Sequence, residues 1–440
     1  RFRWPVVFAG LLLLSSWHLD EGHNDNTMSR AAMVAALVEH GTLHIDTYEQ
    51  LTGDKAVLNG HFYSDKAPLP ALVVTPFWWV AARTGLAQPG EHGLLTDGLL
   101  RLGGFLCGSV PFALIITLLA LRLVRAGVPL PHALYAAALP MFGSFLFVYS
   151  GSFYSHLPGA CLLLLGALAF EREQWWRCGA WCGAAVLCEY TLAVVPIVVC
   201  AVLLLQRRWT PLMQVVAGGV PWALLLMGYN VATTGHALEP LYAHEAHYTF
   251  MEQRMGFALP TADALFGLTL SPYRGLLWYM PALAVLLAYA IGRIAWGEGA
   301  RPSAYTWAAL AGIVAVSGYA MWWGGWAYGP RHLCATAVLL LLACPTALLH
   351  DLRWRTALHA ASIVGLLMAW AAKSTVWYSL PTEERMPFRT IILPHLANGD
   401  WNAWQWPVKL GLAPMAASLL FLLIFAGTLL LLPRAVQRLR

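Results

Sequence analysis

The stretch RLGGFLCGSVPFALIITLLALR, residues 101–122, carries no charge between its two terminal arginines. A helix rises about 1.5 Å per residue, so a segment of this length crosses the roughly 30 Å hydrocarbon core of a bilayer. Comparable runs recur near residues 4–18, 132–150, 155–170, 176–188, 190–205, 211–229, 275–293, 303–321, 333–350, 356–372 and 409–432, which makes twelve crossings. With 59% hydrophobic and only 11% charged residues, a soluble chain would aggregate through its surface. The reading is an all-α polytopic membrane protein: one transmembrane domain over 1–440, about 12–13 transmembrane helices, no soluble domain. The 21 tryptophans suit interfacial belts. All eight cysteines fall in or beside apolar runs without a Cys-x-x-Cys spacing, as expected of free, lipid-buried thiols. The first run follows Arg1 and Arg3 but leads to no small-residue cleavage site, so it is expected to stay as an anchor.

Charge orients the bundle. Arginines cluster at Arg1/Arg3, Arg122/Arg125, Arg172/Arg177, Arg207/Arg208, Arg293/Arg301, Arg353/Arg355 and Arg434 to Arg440, all assigned to the cytoplasm. The net charge of +5 is thereby used in topology, and no nucleic-acid partner is expected. Residues 67–84 are hydrophobic enough to cross, yet they contain Pro68, Pro70 and Pro76, and a crossing there would invert every later loop. A short, tilted or re-entrant segment, or a second short passage in 85–100, would reconcile the count. Four polar segments then lie outside: 19–66, 230–273, 322–332 and 373–408. Because the ionisable residues collect on one face rather than at mid-membrane, an enzyme at the outer surface is favoured over a twelve-helix transporter or flippase.

Residues 20–70 hold eight of the twenty-two acidic residues. Asn24-Asp25-Asn26-Thr27 supplies N-caps for a juxtamembrane helix over 26–41, stopped by Gly41. Ala31, Val34, Leu37 and Val38 give it an apolar stripe, so it is expected to lie along the interface. Asp20, Glu21 and Asp25 would then stand at the membrane surface as candidate general bases, or serve as solvated caps. Asn59-Gly60-His61-Phe62-Tyr63-Ser64-Asp65-Lys66-Ala67-Pro68 turns the chain back toward the bilayer. Its Lys66 is a cation suited to a phosphate headgroup, or a snorkelling lysine beside Asp65.

The order of Asp25 to Gly41 and then Phe62 to Leu69 resembles the first outer loop of GT-C glycosyltransferases that use polyprenyl-phosphate sugars, such as the lipid A aminoarabinose transferases and protein O-mannosyltransferases. It is most similar to a bacterial subgroup of membrane glycosyltransferases with Asp54-Lys55, Gly60 to Pro68, Ser271-Pro272-Tyr273-Arg274-Gly275 and Gly324-Gly325-Trp326-Ala327-Tyr328-Gly329-Pro330-Arg331. The likeness spans residues 20 to 332. It implies a GT-C bundle with interfacial helices in the first outer loop, a catalytic carboxylate at Asp25 and a carrier-phosphate contact at Lys66. Two departures stand against the family pattern: Asn26 follows Asp25 where a Glu is usual, and Ala67 replaces the first Pro of Pro-Pro. With Asp20-Glu21 five residues earlier, the base stays open among three carboxylates.

Arg274 and Arg331 begin spans on the face where arginines are uncommon, and a phosphate would explain them as well as an acid such as Glu245, Glu252 or Asp263 would. Tyr63 joins Lys66, Arg274 and Arg331 as a donor-phosphate candidate. Arg30, His61, Asp65, Tyr154, His156, Tyr273 and Tyr328 are pocket candidates, and Glu189 lies in the hairpin near them. His244-Glu245-Ala246-His247 lacks the His-Glu-x-x-His spacing of zinc proteases, so no metal ligand is assigned and no cofactor is required, although a divalent metal is compatible with the chemistry. No nucleotide-binding loop is present, which favours a lipid-linked donor. The expected function is transfer of a sugar from a polyprenyl phosphate to a glycolipid, glycan or protein hydroxyl. It would proceed with inversion at the outer face of a bacterial cytoplasmic membrane, among membrane lipids.

Overall fold

Between Asp97 and Arg125 the chain runs as one 29-residue apolar helix, widened by a π turn over Phe105–Ser109. In this computed structural model the described residues are 3–248, 254–297, 299 and 302–438; Arg1, Glu252, Arg301, Arg440 and part of the 230–273 segment lie outside them. Three more helices, Trp209–Thr234, Leu352–Ser374 and Pro414–Val436, are long and apolar enough to cross a membrane. Eight shorter apolar helices of 10–17 residues accompany them, from Trp4–Ser15 to Arg331–Leu342. The all-α polytopic architecture is thus as expected from the apolar runs.

Several expected spans are broken. The run at 132–150 divides into Leu130–Phe142 and Phe145–Tyr149 at Gly143, and 333–350 divides around Cys344-Pro345. Tyr149 leads into a turn over 150–155 that sits where three backbones meet. A Cβ on Gly104 would stand 2.0 Å from Gly151 O, and one on Gly151, whose φ is +92°, would stand 2.0 Å from His18 O. Only glycine allows these approaches. The contact fixes Asp20, whose amide donates to Gly151 O at 2.9 Å.

The uncertain segment forms helix α3, Leu69–Arg83, after helices α1, Arg3–Ser15, and α2, Asp25–Glu39. Leu69 N donates to Leu187 O beside Glu189, and Asp97 lies 3.5 Å from His23 in the first loop. Residues 69–96 therefore leave and return at one end of the bundle. Two of the expected cytoplasmic arginines are paired with acids: Arg122 with Glu171 and Arg208 with Glu173.

Helix α2 starts where the sequence placed it, capped by Asn24, whose side chain accepts from Asn26 N at 3.0 Å. It does not lie half-exposed at an interface. Thr27 through Ala36 are buried on every side, because alanines let α3 and the start of Asp97–Arg125 come close while Ser29 and Arg30 turn inward. What looks like a solvent face in the sequence is a face covering other polar groups. The all-α reading also missed a hairpin of β1, Lys55–Leu58, and β2, His61–Ser64. Asn59 and Gly60 both have positive φ, +53° and +82°, as a two-residue hairpin turn requires.

Candidate active site

Lys66 emerges from β2 with its Nζ 2.7 Å from Asp54 Oδ2 and 2.8 Å from Asp65 Oδ2. The hairpin makes this contact by setting Asp54, just before β1, opposite Asp65, just after β2. Burial works against the charge on Lys66, but the two carboxylates outweigh it and hold its pKa above the usual lysine value. Asp54, despite burial, is drawn below the carboxylate range by Lys66, whereas burial and the neighbouring Asp54 push Asp65 up. Ser29 reinforces the group by meeting Ser64 Oγ at 2.7 Å and donating to Asp65 Oδ1 at 3.4 Å. Lys66 is therefore paired with Asp65, the neighbour the sequence offered, and with a second carboxylate as well. Asp54, noted in the sequence only as part of an Asp-Lys pair, is its closest counter-ion.

Arg331 supplies the complementary charge. Its guanidinium lies 5.5 Å from the centroid of the Tyr154 ring, its buried Nε has no hydrogen-bond partner, and no carboxylate among the described residues pairs with it. Arg30 is buried as well, donating to Asn26 O at 2.8 Å and Ser155 Oγ at 2.9 Å, with its Nε unpartnered. Arg274 is placed differently from its expected role. It is 0% exposed and donates through Nε to Trp323 O at 3.0 Å, through Nη1 to Tyr273 O at 2.9 Å and through Nη2 to Gly325 O at 3.2 Å. With most of its donors on carbonyls, Arg274 shapes the Gly324-Gly325 turn that lies against Arg331. Tyr273 and Tyr328 follow it into structural positions. Tyr273 donates to Thr382 O at 2.6 Å, and Tyr328 N donates to Tyr149 Oη at 3.0 Å in the core.

The three candidate bases differ sharply. Asp20 is 2% exposed, accepting from Gly22 N at 2.8 Å and from the Tyr378 hydroxyl at 2.5 Å. Burial pushes its carboxyl up to about 6 against these hydrogen bonds. Glu21 is bound by Arg101 and Lys409, each at 2.8 Å, and acts as a clasp between loop and bundle. Asp25 is exposed. Its Oδ1 accepts from Gly53 N at 2.8 Å and its backbone carbonyl accepts from Thr52 Oγ1 at 2.8 Å, which ties it to the segment that leads into Asp54, the partner of Lys66.

Tyr154 and His156 line the same end. Tyr154 donates to Asn24 Oδ1 at 3.0 Å and its ring stacks on His156 at 5.4 Å. His156 Nδ1 meets Glu189 Oε2 at 2.8 Å, and His332 Nδ1 lies 3.5 Å from Glu189 Oε1. His332 escaped the sequence reading, although its place next to Arg331 was a signal. His61 and Tyr63 are not in this group: His61 pairs with Asp46 at 2.8 Å and stacks on His44, and Tyr63 packs edge-on against His44 at 5.0 Å. In the His244 motif, His244 pairs with Glu239 while Glu245 accepts from the amides of His247 and Tyr248, so its histidines do not converge on an ion.

No protein-family model and no curated protein matches the chain. Two solved structures match it, both of ArnT from Cupriavidus metallidurans. The apo state aligns with TM-score 0.52 and 16% identity over 98% of this chain and 72% of that one. The state bound to undecaprenyl phosphate aligns with TM-score 0.53 and 16% identity over 99% and 74%. Over nearly its whole length, the chain shares the fold of ArnT.

Proposed function

We propose that this chain is a membrane glycosyltransferase that moves a sugar from a polyprenyl-phosphate donor to an acceptor hydroxyl, working at the outer face of a bacterial cytoplasmic membrane. The observation that carries the reading is the hydrogen bond from Gly53 to Asp25, which ties a half-free, exposed carboxylate to the residue before Asp54, itself paired with Lys66 and within the field of Arg331. A carboxylate that accepts a proton next to cations that accept a phosphate is what glycosyl transfer from a phospholipid needs. The fold it shares with ArnT, one structure of which holds undecaprenyl phosphate, supports a donor of that class.

In this reading the acceptor oxygen attacks the anomeric carbon opposite the phosphate. The carbon–oxygen bond to the phosphate breaks with its electron pair staying on phosphate oxygen, the hydroxyl proton passes to Asp25, and the configuration inverts. Lys66 and Arg331 stabilise the departing phosphate, with no carboxylate among the described residues paired to Arg331. Arg274 positions the turn against Arg331, and Asp20 and Glu21 hold the loop.

The test uses the full chain in lipid nanodiscs. Retention of undecaprenyl phosphate should fall in Arg331→Ala, whereas Asp25→Asn should retain it and yet produce no glycosylated product from a bacterial lipid extract, as read by mass spectrometry. Product formation by Asp25→Asn, with loss in Asp20→Asn, would move the base. Passage of lipid across a sealed vesicle without a new glycosidic bond would favour transport.

A further inference from the structure

The start of the helix His156–Glu171, the extended residue before the 3-10 turn Tyr190–Ala193 and the 3-10 turn Arg331–Leu333 bring His156, Glu189 and His332 together at one point of the bundle. Each contributes one ligand-type atom, and these atoms lie within 4.8 Å of one another. We propose that His156, Glu189 and His332 bind a divalent transition-metal ion of the zinc class, leaving one coordination position for an oxygen ligand. The proposal stands on this cluster and does not depend on the glycosyl-transfer reading.

Geometry is the first argument. Nitrogen and oxygen ligands at about 2.0–2.1 Å from a tetrahedral zinc are about 3.3 Å apart. Here the imidazole-to-carboxylate separations are 2.8 and 3.5 Å. All three ligand-type atoms lie within 4.8 Å of one another, a spacing that a shared ion would draw in.

Unsatisfied nitrogens are the second. His156 Nε2 and both ring nitrogens of His332 are buried without a hydrogen-bond partner. One carboxylate shared by two imidazoles leaves the second imidazole poorly served, at 3.5 Å and off-line, and an ion between the three groups satisfies both rings at once. The surroundings are those of a ligated carboxylate: Thr191 Oγ1 donates to Glu189 Oε1 at 3.1 Å and fixes its orientation.

Charge selects the remaining ligand. Arg331 adjoins His332 in the chain and covers Tyr154, the ring stacked on His156. A dication beside a guanidinium needs an anionic oxygen to offset it, so the open position suits a phosphate oxygen better than a neutral donor. The other such triad among the described residues, His44, Asp46 and His61, is largely exposed, and its carboxylate is held by Phe62 N at 2.6 Å as well as by His61. It has less need of an ion.

The experiment strips the full chain in detergent with a chelator and titrates it with Co²⁺ and Zn²⁺ alone. One ion per chain is expected, with a tetrahedral Co²⁺ absorption band. His332→Ala and Glu189→Gln should each weaken binding at least a hundredfold, and Thr191→Val should weaken it about tenfold. His332→Asn keeps the shape of the site should the alanine variant unfold, and it too should lose the ion. Absence of stoichiometric binding, or binding that survives His332→Asn and vanishes in His61→Ala, overturns the proposal.

Discussion

Asp20 and Asp25 stand five residues apart in one loop and inhabit opposite surroundings. The first lies in a closed chamber, bonded to the Tyr378 hydroxyl and Gly22 N and close to Lys373, whose Nζ donates to the carbonyls of Phe147 (2.7 Å) and Ser150 and to Ser150 Oγ at 2.7 Å. The second lies at an open mouth, exposed, with one oxygen on Gly53 N, the residue before Asp54 of the Lys66 group. In the chamber the two charged groups are buried and bonded, so they hold backbone; the mouth keeps unsatisfied capacity at Asp25 and Arg331, so its charges can act on a ligand. Polar groups at one end of a membrane bundle thus divide into those that build it and those left to work.

The mouth breaks most completely at Lys66. Lys66→Ala leaves Asp54 and Asp65 as uncompensated buried carboxylates, so the protein should lose about 3–5 kcal/mol of stability along with all transfer. Pairing it with Asp54→Asn should recover part of the melting temperature in detergent and none of the transfer; no recovery would mean the trio is not an electrostatic unit. Next in size, Asp25→Asn should reduce transfer by about 10²–10⁴-fold, the span of a lost general base, while the melting temperature stays near that of the parent. A similar fall in Asp20→Asn at neutral pH, without unfolding, would erase the distinction between chamber and mouth.

The two regions were not equally legible. Apolar runs and arginine clusters located the bundle and its polar end because membrane insertion depends on local composition. Lys66 and Asp25 stood out because cap, turn and charge lie within short windows. The partners did not stand out, because pairing across the bundle leaves no local pattern. Asp54 reaches Lys66 only through the hairpin register, and Glu189 meets His156 and His332 only through helix packing. Helix α2 misled for a related reason: Ser29 and Arg30 have the spacing of a wet face, but what they meet is Asp65 and Ser155. Arg274 looked like Arg331 in sequence, each beside Gly and Tyr or Pro, and only the carbonyls around it separate their duties.

The chamber can be tested by pH. The Asp20 carboxyl is held up near 6 in the fold against about 3.9 in an unfolded chain, so between these values the native state binds the extra proton and stability falls as pH rises. A shift of this size corresponds to about 3 kcal/mol, present at pH 4 and lost by about pH 7. Asp20→Asn should flatten that part of the melting-temperature profile between pH 4 and 7. Asp25→Asn should leave the profile as it is, and a flattening there instead would place the buried titration at the mouth.

The smallest effect belongs to the hydrogen bond that joins the two regions. Tyr154, at the edge of the chamber, donates to Asn24 Oδ1, the same atom that caps α2 through Asn26 N. Tyr154→Phe removes one bond of about 1 kcal/mol, leaves the cap in place and keeps the ring over which Arg331 lies. Its expected mark is a melting temperature lower by a few degrees at most, with undecaprenyl phosphate retention unchanged. Tyr154→Ala takes away the ring as well and should weaken retention. If the phenylalanine variant loses retention too, the hydroxyl itself serves the ligand, and Tyr154 belongs to the mouth.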